Sequence, residues 1–121
     1  MNWLESAVAQ SNAPLDVDIT TLGVMHDNGP VTTIQVCPVS AAEYQTLKAH
    51  PEVRGLTGDD RDERLGMVVT FEMMRKADNE LKWDTFKQMP IQLLNELAVL
   101  INAAMKQVVG DGEVDGDGLG E

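Results

Sequence analysis

Two stretches in the first third of the chain alternate between hydrophobic and polar residues. Residues 15–20 and residues 32–37 each place a hydrophobic side chain at every second position, which is typical of a half-buried strand. Asn28 and Gly29 lie between them and supply the positive φ angles that a tight turn requires. We therefore predict that the two strands pair antiparallel. Because a lone hairpin is marginal in water, its hydrophobic face must pack on helices.

Two helices are predicted around this hairpin from their capping residues. Asn2 can cap a short helix over residues 2–10, which ends before Pro14. Ser40 and Glu43 have the spacing of a capping box, which predicts a helix that starts after Pro38 and runs to about His50.

The C-terminal half carries two longer hydrophobic helical patterns. The first follows the acidic run 59–62 and fades near residues 77–79, and the second begins at Pro90 and runs to about Met105. Between them, Asp84 is expected to cap a single turn over residues 85–87. The last helix has more hydrophobic positions than one stripe needs, so it is either buried on two sides or meets a partner.

These elements predict an α+β fold that is mainly helical, with an antiparallel β-hairpin packed on three to four helices. A chain of 121 residues forms one domain, which we expect to cover residues 1–109. From residue 110 the composition changes to Gly, Asp and Glu, which cannot bury enough surface to become ordered. Residues 110–121 are therefore predicted to form a flexible acidic tail.

The composition restricts the environment and the class of partner. A formal net charge of -11 disfavours direct binding to nucleic acid, because phosphates would be repelled. The single cysteine, Cys37, excludes an internal disulfide and fits a reducing compartment. The sequence shows neither a signal peptide nor a run of about 20 apolar residues, so a cytoplasmic location is expected, without membrane contact.

Catalytic and metal motifs are weak. Residues 111–117 resemble the first half of a calcium loop, but the bidentate Glu that such a loop needs would fall beyond Glu121. His26 and His50 have no zinc-ligand spacing around them, and Cys37 lacks an evident His partner. We therefore expect no cofactor, no metal and no enzymatic activity.

Large hydrophobic side chains in the C-terminal half are the candidates for a binding site. Ordinary helix patterning would place them in the core, whereas a surplus of hydrophobic surface would form a groove for another chain. We predict that Trp83→Ala or Phe86→Ala abolishes binding and leaves the fold intact. The predicted partner-binding residues are Phe71, Met74, Trp83, Phe86, Met89, Leu97 and Ile101, and the predicted acidic patch is Asp59, Asp60 and Asp62.

The order of parts between Val31 and Met105 resembles the tail assembly chaperones of tailed bacteriophages. It consists of a strand ending in Pro38 before a capped helix, a charged loop leading into a hydrophobic helix, and the segment 81–90 leading into the last helix. The resemblance implies a non-enzymatic chaperone that coats the helical tape measure protein and recruits tail tube subunits. Such proteins are often also made in a frameshift-extended form, and self-association is compatible with this role.

Two other functions fit the same composition. An acidic inhibitor that imitates nucleic acid would occupy the basic channel of a nuclease or a DNA-binding protein, for which the charge of -11 is the qualifying feature. A small structural subunit of a virion is the third alternative, and it would be present in mature particles.

Overall fold

The structure, a computed structural model, describes residues 2–109. The predicted acidic tail, 110–121, and its calcium-loop pattern lie outside the described residues. The helices are α1 (Trp3–Ser11), α2 (Ala41–Leu47), α3 (Gly58–Ala77), α4 (Trp83–Phe86) and α5 (Ile91–Val109), and the strands are β1 (Leu15–Asp18), β2 (Met25–His26), β3 (Gly29–Pro30) and β4 (Thr33–Val36).

The two alternating stretches form the main ribbon, as predicted. β1 pairs antiparallel with β4 in a register that sets Val17 opposite Ile34 and Leu15 opposite Val36. Side chains on a strand alternate between its two faces, so the hydrophobic members of this ribbon share one face. Val17 and Val36 are fully buried on it, while Asp16 faces solvent.

The connection between the two strands differs from the predicted tight turn. It contains a 3-10 turn and then a second, shorter ribbon in which β2 pairs with β3. His26 pairs with Gly29, so the two turn residues are Asp27 and Asn28 rather than Asn28 and Gly29. Gly29 has the predicted positive φ, at 114°, where a side chain would be strained, but it lies in β3 and not in the turn.

Helix starts follow the predicted caps in two cases out of three. Asn2 and Glu5 form a capping box at α1, and Ser40 and Glu43 form another at α2, which confirms the expected start of the second helix. Asp84 was expected to cap the short turn, and this prediction is wrong. α4 begins at Trp83, so Asp84 lies inside its first turn, and Lys82 is the N-cap without a side-chain hydrogen bond.

The ribbon packs against the two long helices. α3 lies along β4 and α5 lies along β1, and their side chains meet in a core cluster beneath the ribbon. The amide of Cys37 donates to the carbonyl of Met73 over 2.8 Å, which fastens the end of β4 to α3. The buried members of this cluster are Val17, Ile19, Val36, Met73, Leu97 and Ile101.

The predicted α+β class, mainly helical with an antiparallel strand pair packed on helices, is confirmed. α1 is largely exposed: Trp3 is 79% exposed and Val8 is 51% exposed. None of the helices within residues 2–109 combines the length and the hydrophobicity that crossing a membrane requires.

Candidate protein-binding site

Three aromatic rings gather where α3 and α4 meet. The ring centroids of Phe71 and Phe86 are 5.2 Å apart, and Trp83 contacts both rings at 5.6 Å. Phe71 comes from the middle of α3, whereas Trp83 and Phe86 begin and end the single-turn α4. Such contacts contribute roughly 0.5–1.5 kcal/mol per pair beyond the burial of area. They fix α4 against α3.

Beside these rings lies an open hydrophobic cavity of about 340 Å³, which we call the α3–α4 cavity. Its lining includes four of the seven predicted partner-binding residues. The lining residues are Phe71, Met74, Glu80, Leu81, Lys82, Thr85, Phe86 and Met89.

The lining has a fixed base and adaptable walls. Phe71 and Phe86 are 8% and 5% exposed, so they belong to the core and expose little surface to the cavity. Met74, Leu81 and Met89 are half-buried, which leaves part of each side chain available. Methionine side chains adopt several shapes at low cost, so these walls can adjust to different ligands.

Trp83 does not line the cavity. It packs against Phe71 and Phe86, which do. Its indole packs against a second hydrophobic cluster that contains Val53, Leu65 and Val68, and its ring centroid lies 6.0 Å from that of His50. Among residues 2–109, the Trp83 Nε1–H is a buried donor without a hydrogen-bond acceptor.

The structure places Leu97 and Ile101 away from the cavity. They are 4% and 1% exposed and pack in the cluster beneath the ribbon, against the face that carries Val17 and Val36. In the folded protein they are covered by the chain itself. They therefore belong to the core, and neither lines the α3–α4 cavity.

The surplus hydrophobic surface of α5 lies elsewhere on the helix. Leu94 is buried beside Phe71 and Phe86, whereas Ile91 is 53% exposed and Val99 is 64% exposed. The helix therefore covers the core with one face and still presents hydrophobic side chains to solvent.

The predicted acidic patch is exposed at the start of α3. Asp59, Asp60 and Asp62 all face solvent, and none of them forms an ion pair within the described part of the chain. Helical spacing places Asp59 and Asp62 on one face, while Asp60 points to another. The three carboxylates do not form a single surface.

The residues 2–109 contain no group of three or more His, Cys, Asp or Glu side chains arranged to hold a metal ion. His50 uses its Nδ1 atom to accept a hydrogen bond from the amide of Glu52 at 3.0 Å. Cys37 is buried at the end of β4.

Comparisons with family models, with curated proteins and with solved structures find no match to this chain. The sequence pattern identifies the segment 81–90 as the connector before the last helix, but it does not identify Leu81 or Thr85 as lining residues. A helical repeat gives no signal for this wall, because Leu81 lies before the single-turn α4 and Met89 lies after it.

Proposed function

We propose that this protein is a non-enzymatic chaperone that binds a hydrophobic helical segment of another protein in the α3–α4 cavity. The single observation that carries the proposal is the cavity itself. It is open to solvent, it is walled by Met74, Leu81 and Met89, and it is backed by buried rings. Helices are commonly recognised by a hydrophobic groove that accepts a few anchor side chains.

The charges at the cavity support a role in recognising protein. Glu80 and Lys82 stand on either side of Leu81, so the lining offers one acidic and one basic group around a hydrophobic contact. An anchor side chain would be held by dispersion and desolvation, while the two charged groups orient the flanking residues. The net charge of -11 opposes self-association while the site is empty.

The specific role that we propose is that of a tail assembly chaperone of a tailed bacteriophage, acting in the host cytoplasm. The order of parts from Val31 to Met105 supports this role, as do the small size and the acidic composition. The partner segment would then belong to the tape measure protein, and the complex would recruit tail tube subunits.

Co-expression tests this role. The tagged protein is produced together with the tape measure protein encoded in the same genome, and the two are purified through the tag. We expect the tape measure protein to become soluble and to copurify in a stoichiometric complex. The chaperone role would be contradicted if the tape measure protein stays insoluble and does not copurify.

A second function is favoured by the exposed acidic residues at the start of α3. Asp59, Asp60 and Asp62 lack ion-pair partners within residues 2–109, as expected for groups that imitate phosphates. We propose inhibition of a nuclease or a DNA-binding protein as the alternative function. Inhibition that weakens steeply with salt and is lost in a triple Asp→Asn variant at these positions would favour it over the chaperone role.

A further inference from the structure

A second concave surface lies between α3 and α5, on a different side of α3 from the cavity. Each of these helices packs along its own strand, and their backbones approach each other less closely than they approach the ribbon. The gap encloses about 490 Å³. We call it the α3–α5 groove. Its lining residues extend over about three turns of each helix, from Asp62 to Met73 and from Ile91 to Asn102.

The groove has the composition of a helix-binding surface. Met73 and Ile101 are buried and form part of its floor. Tyr44 from α2 and Ile91 from α5 line it as well, and they are 40% and 53% exposed. Exposed large hydrophobic and aromatic side chains around a hydrophobic floor are typical anchor points of a protein interface.

Gly66 in the wall of the groove supports a close approach of another chain. Glycine within a helix costs roughly 0.5–1 kcal/mol relative to alanine. A Cβ atom added at Gly66 would meet nothing within 4 Å, so packing within this chain does not require the glycine. Because Gly66 has no side chain, it leaves free space in the groove. The backbone of a bound helix can approach α3 closely at this point.

The charges around the groove favour a partner with positive charge. Asp62 and Glu63 line it, both are exposed, and neither has an ion pair within the described part of the chain. No Lys or Arg side chain lines the groove among the described residues. A basic helix would therefore gain favourable charge pairs along this wall, whereas an acidic one would be repelled.

We propose that the α3–α5 groove binds an amphipathic helix that carries Lys or Arg beside its hydrophobic stripe. This site is separate from the α3–α4 cavity and does not depend on the function proposed for it. The exposed helix α1 of a second copy is a poorer occupant, because residues 3–11 contain no Lys or Arg and include the acidic Glu5.

The test uses a fluorescein-labelled Leu/Lys peptide of about 14 residues with helical amphipathic spacing, and a Leu/Glu peptide with the same pattern. Fluorescence anisotropy gives the affinity of each peptide for the full chain. We expect the Leu/Lys peptide to bind and the Leu/Glu peptide not to bind. Equal binding of the two peptides would overturn the proposal.

Two matched pairs of variants locate the bound peptide. Asp62→Asn should weaken binding by roughly threefold, as expected for one exposed ion pair, whereas Asp60→Asn, on another face of the same helix, should not. Gly66→Leu should fill the groove and weaken binding by about tenfold or more, whereas Ala103→Leu, on an exposed position of α5 outside the groove, should bind as the wild type does.

Three results would contradict the groove as the site. Equal weakening by the two Asp→Asn variants would show that binding follows net charge alone. Unchanged binding by Gly66→Leu, with the helical circular dichroism spectrum retained, would place the peptide elsewhere. If the wild type binds neither peptide but forms dimers that Gly66→Leu disrupts, the occupant is a second copy of the chain. Gly66→Leu should still copurify the tape measure protein, because Gly66 does not line the α3–α4 cavity, and this separates the present test from that of the chaperone role.

Discussion

The indole of Trp83 stacks on the ring of Phe86, with centroids 5.6 Å apart and planes inclined by 29°. Phe86 is only 5% exposed, and it shares a cluster with Phe71 and Leu94. These contacts hold α3, α4 and α5 together, and Phe71 and Phe86 also line the α3–α4 cavity. Removing the buried Phe86 ring should therefore lower stability as well as binding, which disagrees with the expectation that Phe86→Ala leaves the fold intact.

Phe86→Ala should lower the free energy of unfolding by about 3–5 kcal/mol, since it deletes a buried ring and leaves a void in the cluster. Urea denaturation followed by circular dichroism measures this change. Lys87→Ala, at the exposed neighbouring position, is the control and should change stability by less than about 1 kcal/mol. A loss below about 1 kcal/mol in Phe86→Ala would show that the ring is not part of the core.

Glu43 links the start of α2 to the end of α3 and makes stability depend on pH. Its carboxylate accepts hydrogen bonds from Lys76 Nζ at 2.7 Å and from the amide of Ser40 at 2.8 Å. These bonds, chiefly the one from Lys76, hold the pKa of Glu43 below its ordinary value. The stabilisation is therefore complete above the ordinary Glu pKa of about 4.3 and is lost as the pH falls through the lower pKa of the folded state.

Lys76→Met should raise the pKa of Glu43 toward its ordinary value, which an NMR titration of the carboxyl carbon measures. The variant should lose stability at pH 7, and the difference from the wild type should shrink on the acidic side of the ordinary Glu pKa. The Glu43 side chain is 41% exposed, so the loss should stay below about 1 kcal/mol. A pKa of Glu43 that is the same in both proteins would contradict the role of the ion pair.

α1 should contribute little to the stability of the body. The described side chains of residues 3–10 are exposed or half-buried, and none belongs to a core cluster. Deleting residues 2–12 should change the free energy of unfolding by less than about 1 kcal/mol. A loss of more than about 2 kcal/mol on urea denaturation would show that α1 packs on the body.

Local rules account for the parts of the fold that the sequence predicts well. The capping box of Ser40 and Glu43 forms between residues three apart, so it needs no knowledge of the rest of the chain. The strand pairing of Val17 with Ile34 follows from alternation, because a slip of one residue would turn every hydrophobic side chain toward solvent.

Long-range packing decides what the sequence does not predict. Phe71 and Leu97 are both large hydrophobic residues on helices, yet Phe71 lines the α3–α4 cavity and Leu97 packs under the ribbon. That difference depends on how α3, α4 and α5 are placed relative to one another. The α3–α5 groove was missed for the same reason, although Gly66, four residues after Asp62 within a helical pattern, is a signal that could have indicated it.

The central claim is that the α3–α4 cavity binds the partner helix, and a matched pair of leucine variants tests it most directly. Leu81 and Leu93 are both half-buried, but only Leu81 lines the cavity. Isothermal titration calorimetry with a soluble peptide that carries a hydrophobic helical segment of the tape measure protein should show binding about tenfold weaker or more in Leu81→Gln, and affinity close to that of the wild type in Leu93→Gln. Equal affinities of the two folded variants would contradict the claim.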